Sequence, residues 1–157
     1  LSAAYPKEVA WFRQDARFNT SFSFSGSHNG SNQNTYDASR TQYVSDAYSY
    51  YSLALGPSFT YAWGEKKRPA WASLSLRYTS TQYLGRLVQN GDGVYTSEYQ
   101  YQDRYVMGLS YAYPMAKGFY LKAQTNFLWA RSNQAYEKTY AYNYRTANYM
   151  MGFTYEY

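Results

Sequence analysis

Few residues in this chain have an obvious capacity for covalent chemistry. His28 is the sole histidine and stands beside Asn29-Gly30, and a Ser-His-Asp arrangement can be drawn with Asp37 and any of several serines. Such a set would perform acyl transfer, the imidazole taking the proton of a hydroxyl nucleophile. No spacing singles out one serine, so the chain is not expected to be an enzyme. Asn90-Gly91-Asp92-Gly93 offers oxygens of the kind a calcium loop uses, but the further ligands at regular spacing are missing, and a hairpin turn is expected instead. The absence of cysteine removes disulfides and thiolate metal sites; no metal or other cofactor is expected.

The formal net charge is +5. Its basic residues are scattered from Lys7 to Arg145 and interleaved with acids, and the one tight run, Lys66-Lys67-Arg68 next to Pro69, reads as a solvated turn. No nucleic-acid partner is expected. Tyrosines gather in the polar stretches, among them Tyr43, Tyr48, Tyr95, Tyr136 and Tyr140. They suit either stacking on sugars or anchoring at an interface, and anchoring is the simpler of the two.

The elements that must carry these groups are strands. Aromatic residues make up 22% of the chain while Leu, Ile and Val are scarce, and mean hydropathy is -0.71. Aromatic side chains fit a pleated surface better than a helical core. No run approaches the roughly 18 apolar residues of a membrane helix. From residue 17 onward the apolar period is two, in segments 17–27, 47–63, 71–82, 99–113, 119–131 and 140–157. One face of each is aromatic or aliphatic, as in Leu53, Leu55, Phe59 and Tyr61. The other is Ser, Thr, Gly or Ala, as in Ser52, Ala54, Gly56 and Ser58. These segments reach or exceed the roughly 9 to 11 residues of a tilted membrane strand, where soluble strands average about 5 to 6. Pro57 removes a ladder donor and predicts a bulge or local break. Residues 1–16 lack alternation and are expected to form a lead-in with at most a few helical turns, touching a membrane surface through Trp11 and Phe12. Links 28–46, 83–98 and 132–139 are long and polar, whereas 64–70 and 114–118 are short.

Tyr105-Val-Met-Gly-Leu-Ser-Tyr-Ala-Tyr113 matches Tyr149-Met-Met-Gly-Phe-Thr-Tyr-Glu-Tyr157, with a weaker copy at Leu53 to Tyr61. One hairpin with its loop is thus the repeating unit. The last segment resembles the C-terminal strand of bacterial outer-membrane β-barrel proteins, in which an aromatic terminus is preceded by apolar residues at every second place. Tyr149, Met151, Phe153, Tyr155 and Tyr157 satisfy that pattern.

The resemblance covers residues 17–157 at the level of architecture. It implies an all-β, antiparallel transmembrane barrel in the outer membrane of a Gram-negative-type cell, with 1–16 as a periplasmic lead-in. Recognition by the barrel-assembly machinery through the last strand is implied, as are outer-membrane lipid and lipopolysaccharide as surroundings. Short turns would face the periplasm, with Tyr61, Trp63, Trp71, Tyr113, Phe119, Tyr155 and Tyr157 as one aromatic girdle and Tyr99, Tyr101, Trp129 and Tyr142 toward the other.

Arg77, Arg104, Lys122, Arg145 and Glu156 are expected to face the lumen, either setting selectivity or bracing the wall by mutual pairing. The function so implied is a porin-like barrel wall of a channel, exporter or assembly, serving transport. The alternative is a structural or adhesive anchor whose extracellular loops bind a partner. Six strands are too few for a barrel, since single chains start at about eight. Partner strands are therefore expected from upstream sequence or from other chains.

Overall fold

The computed structural model describes residues 2–8, 15–36, 43–116, 118–138 and 140–155. Its main sheet has seven strands: β1 (Ser2–Glu8), β2 (Arg17–Asn29), β5 (Tyr50–Trp63), β6 (Ala70–Gln89), β7 (Tyr95–Ala116), β8 (Phe119–Ser132) and β9 (Tyr144–Tyr155). Each pairs antiparallel with the next in that order. A two-residue hairpin, β3 (Thr35–Tyr36) with β4 (Tyr43–Val44), lies in the link between β2 and β5. No helix is present among the described residues. The sheet is open, and β1 and β9 are its two edges.

All six expected segments are strands, but the N-terminal expectation fails. Residues 2–8 form β1, in register with β2 from Ser2 opposite Ser23 to Glu8 opposite Arg17. The backbone ladder, rather than a side-chain period, makes this strand. Pro6 is tolerated because an edge strand needs donors on one side only. The first long strand therefore finds its neighbour within the chain, not outside it. Trp11 and Phe12 lie outside the described residues.

The link at 83–98 is also shorter than expected. β6 and β7 run on to Gln89 and Tyr95 as one long hairpin, kinked by register shifts between Gln82 and Leu87 and again before Gln89. Its tip is the turn foreseen at Asn90: the Asn90 N–H donates to the Val94 carbonyl at 2.9 Å, and Asn90 Oδ1 accepts from the Asp92 and Val94 N–H groups at 3.0 and 2.9 Å. An Asn side chain closing on its own backbone makes a turn here with no ion needed.

At Pro57 the ladder lapses without a bulge. Pairing of β5 with β6 stops after Leu55↔Tyr78 and resumes at Ser58↔Ser75 in the same register. Pro57 lacks the N–H, and Gly56 lets the strands come close: a Cβ there would stand 1.9 Å from the Leu76 carbonyl oxygen.

Register sorts the side chains into two faces, because directly opposed residues share one. The polar face carries Ser21, Ser23, Ser25, Ser58, Ser73, Ser110 and Asn126; the apolar face carries Phe22, Leu55, Phe59, Leu74, Met107, Phe127 and Phe153. Among the described residues no large side chain is fully buried. Rings line the apolar face at the short-turn end, where Tyr61 stacks on Trp63 at 5.3 Å, Trp63 meets Tyr111 at 6.1 Å, and Phe119 meets Tyr155 at 4.8 Å.

Candidate functional site

The polar face holds three of the five expected charges. Arg77 lies opposite Val106, and Arg104 opposite Thr79 and Ala130, which makes the two arginines diagonal neighbours on adjacent strands. Both are exposed, and the residues directly across from them are uncharged. Lys122 stands nearer the short turns, opposite Ala112 and Gly152, with its ammonium 6.0 Å from the Tyr120 ring.

Arg145 is a correction. It pairs with Trp129 on the apolar face, at the long-loop end of β9, and shares the parity of Tyr149 and Met151. It lines an open groove there with Tyr105, Trp129 and Arg131. Glu156 and Tyr157 lie outside the described residues. Tyr149, Met151, Phe153 and Tyr155 share one face of β9, with Met151 75% and Phe153 69% exposed.

Two expected girdle residues change place. Trp71 sits on the polar face between Ala62 and Ala112, whose small side chains leave room for the indole. Tyr142 lies in a cap of loops over the other end of that face.

Several of the buried residues among those described gather in this cap. Ala47, Ser49, Val88, Gln89, Gln100 and Gln134 are all buried there. Residues 45–46 cross so tightly over β6 that a Cβ on Gly85 would stand 2.3 Å from the Ser45 carbonyl oxygen. Arg86 Nε donates to the Ala47 carbonyl, while its guanidinium lies 4.2 Å from the Tyr83 ring and 5.3 Å from that of Tyr48. Tyr83 and Tyr50 pair on the polar face, so this stack closes over it. The link from β8 to β9 is tied down by Glu137. Its Oε1 accepts from the Asn143 N–H at 2.7 Å, the Tyr142 N–H at 2.9 Å and Asn143 Nδ2 at 2.9 Å. These donors, the backbone of Asn143 foremost, hold the Glu137 carboxyl below the usual carboxylate range. Burial pushes the Tyr142 phenol up, against the opposing charge of Arg86.

Under the cap is a cavity of about 240 Å³ whose lining includes Tyr48, Tyr136, Tyr142, Gln89, Gln100 and Gln134. Gln134 Oε1 accepts from the Gln89 N–H at 2.8 Å, and Gln134 Nε2 donates to Gln89 Oε1 at 3.3 Å. Gln89 Nε2 in turn donates to the Gly93 carbonyl at 2.9 Å. Sequence reading missed these glutamines and Arg86: they carry no local signal, being polar residues in or beside stretches expected to be solvated links.

His28 stacks on Tyr51 at 4.6 Å on the apolar face, beside a shallow open cleft containing Ser52, Ser80 and Gln82. Asp37 lies outside the described residues. Among the described residues no three His, Asp or Glu side chains gather as metal ligands would, and no helix is long and apolar enough to cross a membrane. No protein-family model, curated protein or solved structure matches the chain.

Proposed function

We propose that this chain is part of the wall of an outer-membrane β-barrel, forming a channel, exporter or assembly component. The observation that carries this reading is an apolar sheet face without a covering layer. Phe22, Phe24, Leu53, Leu76, Leu109, Met151 and Phe153 are all at least 40% exposed on it. A soluble sheet buries such a face against a second layer. Burying one such side chain is worth about 1.5–3 kcal/mol. Leaving these seven in water forgoes on the order of 10 kcal/mol, comparable to the whole folding free energy of about 5–15 kcal/mol. Hydrocarbon is the natural cover. The thirteen residues of β2 span roughly 30 Å at the usual rise and tilt, enough to cross it.

Strand sense bears on what completes the barrel. With seven strands alternating in direction, β1 and β9 run parallel to each other. Closing on itself, or joining copies of itself side by side in one membrane, would create a parallel seam. An odd number of further strands keeps every pair antiparallel, and a single one makes eight, the smallest common barrel. Those strands come from elsewhere in the polypeptide or from a different chain. The cap favours a second reading, a closed structural or adhesive anchor displaying its loops, because it occupies one end of the polar face.

In cells that produce it, the protein should appear in detergent-extracted outer membranes. Reconstituted there, a channel conducts and an anchor does not. Recovery as a stable soluble monomer without detergent would overturn both readings.

A further inference from the structure

Arg131 and Arg145 stand on the apolar face at the long-loop end of β8 and β9. Arg145 is directly opposite Trp129, and Arg131, two residues further along β8, is its diagonal neighbour. Both are exposed, and both line one open groove of about 880 Å³ where the strands part after the Ala130↔Tyr144 pair. Tyr105, Trp129 and Tyr144 supply most of the remaining described lining, and no carboxylate is among it. Asp103 lies directly across from Arg131, outside that lining, with its Oδ1 accepting from the Tyr78 hydroxyl at 3.0 Å. One acid against two guanidinia leaves the groove net positive.

Like charges held side by side repel, and both guanidinia lose water if that face meets hydrocarbon. An anion seated between them relieves both costs, and a guanidinium fork matches the oxygens of a phosphate. The surface next to the groove indicates what carries that phosphate. Toward the short turns the same face continues as Phe127, Tyr149, Met151 and Phe153, with the Phe127 and Tyr149 rings 5.9 Å apart. Cations at the end of the strands, rings at the boundary and an apolar strip beyond them complement an amphiphile with an anionic head and an acyl tail. A soluble phosphate would meet the arginines and leave the strip uncovered. We infer that the groove of Arg131 and Arg145 seats the phosphate head of an anionic lipid, whose acyl chain lies along Phe127, Tyr149 and Met151. The inference rests on the reading of this face as lipid-facing and adds to it a preferred lipid and the residues that choose it.

The test is native mass spectrometry of the full protein extracted in detergent, with phosphatidylglycerol, phosphatidylcholine of the same acyl chains and inorganic phosphate as probes. Phosphatidylglycerol should bind about fivefold or more tightly than phosphatidylcholine, and millimolar inorganic phosphate should not displace it. Arg131→Gln and Arg145→Gln should each reduce that preference, and the double variant should abolish it while phosphatidylcholine binding stays as it was. Lys67→Gln, which removes one charge at a short turn, should leave the preference intact. The two single variants carry the comparison if the double variant fails to fold. Equal binding of the two lipids, or an undiminished preference in the Arg131 and Arg145 variants, would overturn the assignment. Full displacement by inorganic phosphate would make this a free-anion site and overturn it as well. A protein that needs detergent yet shows no preference defeats this inference alone, whereas one stable as a soluble monomer without detergent defeats the lipid-facing reading with it.

Discussion

Arg77, Arg104 and Arg145 look alike in composition yet differ in place, and a single rule separates them. The period of two puts Arg145 in phase with Tyr149 and Met151, so its place on the apolar face was readable from parity, though it was expected with the lumen charges. Near the loop end of a strand a guanidinium can reach polar surroundings, which makes that phase tolerable. Glu137 is the residue whose carboxylate ties the backbone of Tyr142 and Asn143 into the cap. Its carboxyl is held below the usual range, so the stabilisation is fully present above the carboxylate's ordinary value and is lost as pH falls through the lowered one. The hydrogen-exchange protection factors of the Tyr142 and Asn143 amides should therefore hold from neutral pH into mild acid and fall below the ordinary glutamate range. Glu137→Gln should lower both protection factors at neutral pH and leave them nearly independent of pH. Unchanged protection in the variant would remove Glu137 from this role.

At the scale of elements, β9 separates side-chain chemistry from strand formation. Its two faces are both exposed, but only one is continuously apolar from Ala147 onward. Phe153→Asp places a charge on the face proposed to meet lipid, whereas Thr154→Asp places it on the polar face opposite Tyr120. Charges on a lipid face cost up to about 2–4 kcal/mol at mid-depth. The amount of membrane-inserted protein should thus fall severalfold for Phe153→Asp and little for Thr154→Asp. Equal yields for the two variants would defeat the reading of this row as both lipid-facing and an assembly signal. β1 teaches the reverse lesson, since a strand there needs no amphipathic pattern once β2 offers a ladder to pair with.

For the molecule as a whole, orientation is the open quantity that an experiment can fix. The chain has no cysteine, so single substitutions report cleanly. With the short turns toward the periplasm, a membrane-impermeant thiol reagent added to intact cells should label Asp92→Cys at the tip of the β6–β7 hairpin and leave Lys67→Cys unlabelled. The opposite pattern would invert the topology. That orientation would put the cap, and the cavity beneath it, on the outer side.

The sequence by itself determined that the chain is all-β, where its six long strands run, and which residues of each share a face. Those features depend only on a period of two and on turn residues acting locally, as Asn90 does through its own side chain. Tertiary structure decided what depends on partners distant in the chain. It made β1 a strand through its ladder to β2, extended β6 and β7 through their mutual pairing, and let the ladder lapse at Pro57 in unbroken register. It also turned polar links into a packed cap by bringing Ala47, Gln89, Gln100 and Gln134 together from four separate segments. A glutamine in a polar stretch carries no sign of whether water or a neighbour will satisfy it. Only the fold shows that Gln89, Gln100 and Gln134 are buried together.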